Sequence, residues 1–150
     1  KLKPAANLLA KATQRCVKLV AYMKETYPKD DAVKQLYTNF NPEKIIETLP
    51  TSEFTAYSEN KGEKLAFCLN KKKHDNTKLI DLNTLTFVAI HELAHVMTKE
   101  DGHKLIFWQN FKFLLINAKE INIYIPEDYK KNNKEYCGMT LTDNPYYDLE

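Results

Sequence analysis

Residues 81–99, DLNTLTFVAIHELAHVMTK, constrain the fold most, because they form a helical pattern that is apolar on nearly its whole circumference. Asp81 or Asn83 can serve as the N-cap, and helical spacing continues to about Lys99. A helix without a polar face must lie at the centre of a core. The chain is therefore expected to fold around this helix. Its apolar residues are Leu85, Phe87, Val88, Ala89, Ile90, Leu93, Ala94, Val96 and Met97.

The same helix contains His91, Glu92 and His95, side chains that are costly to bury without a partner. Residues four apart lie on one face with Cβ atoms about 5–6 Å apart. Both imidazoles can therefore reach one zinc ion at distances of about 2.0–2.1 Å. Glu92, about 100° further round, can reach a metal-bound water without becoming a ligand. This is the H-E-x-x-H pattern, and the alternative is a polar face that hydrogen-bonds internally.

A catalytic zinc ion takes three protein ligands and keeps one position open. His103 is the leading third ligand, because Gly102 interrupts the helix and lets the chain turn back. A surface or helix-capping role is the alternative for His103. Glu120, at the end of the next helical segment, is the alternative ligand, and His74 in a lysine-rich stretch is expected to be exposed.

This set of residues predicts hydrolysis of a peptide bond. Zinc activates its bound water and polarises the substrate carbonyl. Glu92 would act as general base and then as general acid toward the leaving amine. A further donor would assist the oxyanion. Its candidates are Tyr124, Tyr129 and Tyr136, for each of which packing in the core is the alternative.

The remaining pattern predicts a mixed fold in one domain, 1–150. Helices are expected over 5–27 and 31–40, and over 41–49 between Asn41 and the stop at Pro50. Two strands surround Gly62, a polar loop covers 71–79, an aromatic helix follows Gly102, and a strand is expected near YCGMTL. The class is therefore α+β, with a helical part, 1–50, before a core at 53–145.

Composition excludes several classes of protein. Three scattered cysteines, Cys16, Cys68 and Cys137, indicate reduced thiols in an intracellular setting, and no secretory signal or membrane span is visible. The net charge is +2 and Arg15 is the single arginine, which disfavours sequence-specific reading of nucleic acid. Two lysine clusters, 71–73 and 130–134, are interpreted as solvated loop charge, with weak DNA association as the alternative.

The stretch HELAHVMTKEDGHKLIFW resembles the WLM and SprT-like (Spartan-type) zinc metallopeptidases, which share H-E-x-x-H, a later Gly-His, and an aromatic residue four positions on, here Phe107. Three segments are more closely similar to small predicted metallopeptidases of this group encoded by large DNA viruses. The resemblance covers about 53–145. The three segments are NTLTFVAIHELAHVMT, GHKLIFWQNFKFLL and YCGMTLTDNP.

The resemblance implies one zinc ion per chain, with His91, His95 and His103 as ligands and Glu92 as the catalytic carboxylate. It also implies a minimal zincin, in which a small mixed sheet with an edge strand lies over the motif helix. The edge strand that would receive a peptide substrate is expected to be Lys64, Leu65, Ala66, Phe67, Cys68 and Leu69. Cellular relatives cleave proteins crosslinked to DNA, but no DNA-binding module is visible. The function expected is a zinc-dependent endopeptidase, with a non-catalytic zinc-binding domain and a DNA-associated protease as alternatives.

Overall fold

The computed structural model describes residues 2–48, 56–59, 61–72 and 75–148, and it confirms the α+β class. The helices are α1 (Leu2–Thr26), α2 (Asp31–Asn39), α3 (Leu82–Met97) and α4 (Leu105–Glu120). The strands are β1 (Ile45–Glu47), β2 (Ala56–Glu59), β3 (Lys64–Phe67), β4 (Asn70–Lys72), β5 (Asp75–Leu79), β6 (Lys134–Tyr136) and β7 (Met139–Leu141).

Helix α3 lies at the centre of the core, as its apolar circumference predicts. Asp81 caps it by accepting a hydrogen bond from the backbone N–H of Thr84 at 2.9 Å. Twelve of its sixteen residues are buried, and it contacts α1, α2, α4 and the strands β2 and β3. The two histidines at the end of this helix are half-buried. The two histidine rings of this central helix therefore lie at the border of the core, whereas Glu92 between them in sequence is buried.

The longest helix, α1, is amphipathic and packs on α3 through one face. Its buried residues recur at helical spacing, which is why the sequence locates this helix well. Among the described residues, no helix is both long and apolar enough to cross a bilayer. The buried face of α1 consists of Ala12, Cys16, Leu19, Val20 and Met23.

The three-stranded sheet has the order β1-β3-β2, so β3 is its central strand. It pairs in parallel with β1 and antiparallel with β2, with Leu65 opposite both Ile45 and Ser58. The prediction that 64–69 is an edge strand is therefore wrong, because Lys64–Phe67 is hydrogen-bonded on both sides and Cys68 and Leu69 follow the strand. Within the described residues, β2 is the edge nearer the histidines.

Two segments differ from the predicted secondary structure. The helix expected over 41–49 is not formed in its described part, 41–48, where a 3-10 turn at Pro42–Lys44 leads into β1. The adjacent isoleucines at 45 and 46 favour an extended chain once a parallel partner is present. The polar loop expected at 71–79 is largely a hairpin, β4–β5, in which Asn70 pairs with Leu79. His74 lies outside the described residues.

Gly62 is in the turn between β2 and β3 with φ +108°, a region that favours glycine. A Cβ atom here would lie 2.7 Å from the carbonyl oxygen of Asn39 and 2.9 Å from a methyl group of Val96. The turn is therefore packed directly against the end of α2 and against α3.

Cys68 and Cys137 form a disulfide, with Cα atoms 6.2 Å apart and 69 positions apart in sequence. The prediction of three reduced thiols is wrong for this pair, because sequence spacing carries no information about distant strand ends that meet in space. Cys16 remains a buried thiol, and burial raises its pKa to about 12. The cysteines therefore give no support to a reducing compartment.

Candidate metal centre and cleft

Three histidines converge at the C-terminal end of α3. His91 and His95 are one helical turn apart, and His103 follows Gly102, whose φ of +83° turns the chain back toward them. One ring nitrogen from each histidine lies within 4.8 Å of the other two, and the Nε2 atoms of His95 and His103 are 3.0 Å apart. The structure thus brings together the three predicted ligands.

The Nε2 atoms of His95 and His103 are spaced much as two ligands of one tetrahedral zinc ion would be. Two ligands with bonds of 2.0–2.1 Å at a tetrahedral angle are about 3.3 Å apart, close to the His95–His103 separation. Burial lowers the pKa of His95 to about 4, an effect that the charges of His91, His103 and Lys61 reinforce and that of Glu92 opposes. Burial also lowers the pKa of His103. Both rings are therefore neutral at pH 7, which is the form that binds metal.

The alternative ligand Glu120 is not near this cluster. It is the last residue of α4, whereas His103 lies two residues before the start of the same helix at Leu105. Fifteen steps of about 1.5 Å place the two ends of the helix roughly 22 Å apart. Helix α4 therefore cannot present Glu120 to the ion that His103 would bind.

Glu92 is buried beside the ligands, with 4 % of its surface exposed. Its Oε2 lies 2.8 Å from Nδ1 of His91. A His91 that donates through Nδ1 keeps Nε2 unprotonated and available as a ligand, and carboxylates commonly orient metal-binding histidines in this way. The carboxylate thus contacts one of the three histidines and lines the same cleft.

Aromatic side chains of α4 contact the histidines by ring stacking and by a hydrogen bond. Phe107 is fully buried, and its ring stacks on those of His95 and His103 at centroid distances of 4.2 and 4.7 Å. The indole N–H of Trp108 donates to the backbone carbonyl of His103 at 3.1 Å. The stacking and the hydrogen bond are both within the segment 91–108. The third ligand is therefore held by the start of the helix that follows it.

Lys61 joins the β2–β3 turn to the segment that carries His103. Its ammonium group donates to the carbonyl oxygens of His95 and Glu100 at 3.4 and 3.2 Å, and it lies 3.4 Å from Asp101. These contacts link the β2–β3 turn to the end of α3 and to the segment that leads to His103.

A cleft of about 540 Å³ exposes the histidines, and β2 forms its opposite wall. The sequence did not indicate Ala56, Tyr57, Ser58 or Lys61 as site residues, because the edge was assigned to the wrong strand of a correctly predicted hairpin. The more polar composition of the first strand of that hairpin, Ala56–Glu59, indicates the edge position. The lining consists of Ala56, Tyr57, Ser58, Lys61, His91, Glu92, His95, Asp101, Gly102 and His103.

The three candidate oxyanion donors are buried and lie outside this cleft. The hydroxyls of Tyr124 and Tyr129 are 3.3 Å apart, and Asn144 donates to that of Tyr124 at 3.1 Å. Burial raises the pKa of Tyr124 to about 12 and raises that of Tyr129. Tyr136 is nearer the site: its pKa is raised by burial and by the charge of Glu92, and its hydroxyl donates to the carbonyl of Cys68 at 2.7 Å.

Comparison with known proteins identifies viral relatives. The chain is 31 % identical over 144 residues to uncharacterized protein R325 of Acanthamoeba polyphaga mimivirus, covering 93 % of this chain and 72 % of the relative. It is 35 % identical over 82 residues to uncharacterized protein 136R of Invertebrate iridescent virus 6, covering 55 % of this chain and 44 % of that protein. No family model matches the chain, and no solved structure matches it significantly. The chain belongs to the protein family that includes R325 of this mimivirus.

Proposed function

We propose that the protein is a zinc-dependent endopeptidase with a minimal zincin arrangement, related to the WLM and SprT-like metallopeptidases. The observation that carries the proposal is the convergence of three histidine nitrogens within 4.8 Å beside a buried glutamate, at the floor of an open cleft. A structural zinc site would be closed by a fourth protein ligand. Within the part of the chain that the structure describes, no fourth His, Cys, Asp or Glu joins the three histidines, and all three line the cleft.

A zinc ion held by His91, His95 and His103 would supply a Lewis acid and an activated water at neutral pH. Glu92 performs the proton transfers: it accepts the proton of the attacking water and delivers it to the amine that leaves. Its burial keeps this carboxylate in a fixed position close to the ligands. The hydrogen bond to His91 also orients the first ligand.

The peptide substrate lies along β2 in this proposal. An extended segment can add to a sheet edge through main-chain hydrogen bonds, and β2 is the described edge that borders the cleft. In this proposal β2, and not β3 as the sequence suggested, is the edge strand that receives the peptide. Tyr57 lines the cleft and replaces the three buried tyrosines as the candidate oxyanion donor.

Glu92→Gln tests the proposal, because it keeps the size of the side chain and removes its basicity. We expect one zinc per chain in both proteins and a loss of at least about 100-fold in cleavage of denatured casein by the variant. Glu100→Gln, an exposed glutamate near the same loop, is the matched control and should cleave normally. Cleavage retained by Glu92→Gln would refute the mechanism.

Zinc binding without cleavage of any unfolded protein would instead identify a non-catalytic zinc-binding interaction domain. DNA-stimulated cleavage would identify the DNA-associated alternative. No observation favours the latter, since Lys130 lies 3.1 Å from Asp148 and Lys134 lies 3.1 Å from Asp81. We expect the same rate with and without DNA at low salt.

A further inference from the structure

A second cavity, of about 140 Å³, lies beside the catalytic carboxylate. Ala56, His91 and Glu92 border both this cavity and the cleft, so the two spaces adjoin at the site itself. The remaining lining residues are Phe87, Val88, Tyr136, Met139 and Leu141, and we call this cavity the apolar pocket.

Two elements build the walls of the apolar pocket. On α3, Val88 precedes Glu92 by one turn and Phe87 precedes His91 by one turn, so both lie on the face that carries the chemistry. The β6–β7 hairpin supplies the facing wall with Met139 and Leu141. Among the described lining residues, apart from the shared His91 and Glu92, the one side-chain hydroxyl is that of Tyr136, which donates to the carbonyl oxygen of Cys68.

The apolar pocket is held in place before any ligand binds. Phe87 packs against Phe111 and Tyr129 at centroid distances of 5.2 and 4.9 Å. The hairpin is bonded through Cys137 to Cys68, and the backbone N–H of Cys137 donates to Asn70 at 2.9 Å. A ligand therefore need not order either wall, which lowers the cost of binding.

The size and exposure of the pocket indicate its ligand. An apolar cavity of roughly 150 Å³ holds a benzene ring. Met139 is 44 % exposed and marks the open side of the pocket, whereas Val88 is 7 % exposed and belongs to its buried side. The pocket therefore opens to solvent on one side and is lined by apolar groups inside.

We propose that the apolar pocket binds one large apolar side chain, the size of leucine, methionine or phenylalanine, from a polypeptide that lies in the cleft. This inference deepens the proposed function and rests on it in one respect: in a peptidase, the residue bound here flanks the scissile bond. Because the pocket adjoins Glu92 and one end of β2, the main chain can pair with the edge strand while this side chain enters.

Cleavage of a peptide library by the zinc-loaded protein tests the choice of side chain. One methylene in an apolar pocket changes kcat/KM roughly 10-fold or more. We expect at least a tenfold preference for leucine or phenylalanine over alanine at one position beside the cleaved bond. Val88→Phe, which fills the pocket, should remove that preference while cleavage at small residues persists, and Met139→Ala should weaken it. Ile116→Ala is the matched control, since Ile116 is 46 % exposed on α4 and lines neither cavity.

Binding of N-acetyl-leucinamide to the zinc-loaded chain provides a measurement that does not depend on turnover. We expect saturable changes in the methyl NMR signals of Leu141, at least tenfold weaker binding in Val88→Phe, and no change with N-acetylglycinamide. Retained zinc and an unchanged circular dichroism spectrum show that each variant is folded. If Val88→Phe does not fold, Met139→Ala replaces it as the test variant.

The outcomes separate the two proposals. Saturable binding without cleavage of any peptide would support the pocket and refute the peptidase. Cleavage with no side-chain preference, or with a preference that Val88→Phe and Met139→Ala both leave intact, would overturn the pocket while the peptidase stands. Failure of N-acetyl-leucinamide to perturb Leu141 would also overturn it.

Discussion

The two walls of the cleft are built in different ways. The ligand wall, residues 91–108, is local: the histidines, the stacked Phe107 and the Trp108 hydrogen bond all lie within eighteen consecutive positions. The opposite side of the cleft is β2, and the adjoining apolar pocket has the β6–β7 hairpin as its wall; together we call these elements the facing wall. The hairpin is tied to the end of β3 by a disulfide between residues 69 positions apart. In the proposed function, the groups that perform chemistry are thus held locally, and the groups that select a substrate depend on the tertiary fold.

This difference predicts that the two walls respond independently to substitution. Changes in the ligand wall should alter zinc affinity with little effect on global stability. Changes in the facing wall should alter stability or selectivity with little effect on zinc. Each test below measures zinc affinity, and the test on the facing wall also measures the free energy of unfolding.

His103→Ala should produce the largest effect. Loss of one of three ligands should weaken zinc binding by more than about 100-fold, because loss of groups that only orient a ligand already costs about 10–100-fold. Zinc affinity measured by competition with a chelator tests this. Glu120→Ala at the far end of α4 is the control, and equal losses in both variants would contradict the assignment of the third ligand.

Removing the disulfide should reduce stability and leave the metal site intact. Replacing Cys68 and Cys137 by serine together should lower the free energy of unfolding by about 2–4 kcal/mol, as expected for a crosslink that closes a long loop. Urea unfolding measures the loss, and a reductant should destabilise the wild type but not the double variant. A zinc affinity that also falls tenfold would show that the walls are coupled.

Trp108→Phe should produce the smallest effect. It keeps an aromatic ring and removes the N–H that donates to His103. One hydrogen bond contributes about 0.5–1.5 kcal/mol, so zinc affinity should fall roughly two- to tenfold. Tyr27→Phe removes a comparable bond to Asn117 elsewhere on α4 and should leave zinc affinity unchanged. An unchanged affinity in Trp108→Phe would mean that His103 is positioned by stacking alone.

The same contrast explains what the sequence could predict. Helix α3, its cap at Asp81 and the convergence of His91, His95 and His103 follow from local spacing and from one glycine, so they were predictable. The position of Glu92 beside the ligands follows from the same helical geometry. These predictions required no knowledge of distant contacts.

The facing wall was not predictable from local pattern. Whether β3 is an edge or a centre depends on β1, which the sequence suggested was helical because Asn41 and Pro42 resemble a helix start. The parallel pairing of Ile45 with Leu65 overrides that signal. The disulfide and the apolar pocket likewise depend on a hairpin that meets the sheet only in the folded chain.

The tight packing of Gly62 bears on how far apart the two walls stand. The turn that ends β2 touches Val96, one residue after the ligand His95, with no side chain between them. The distance between this turn and the helix that carries the histidines is therefore as short as a glycine backbone against the Val96 side chain allows. A methyl group at this position would overlap Asn39 and Val96, so the turn or its neighbours would have to shift, and the edge strand would move relative to the histidines without any change in a residue that lines the cleft.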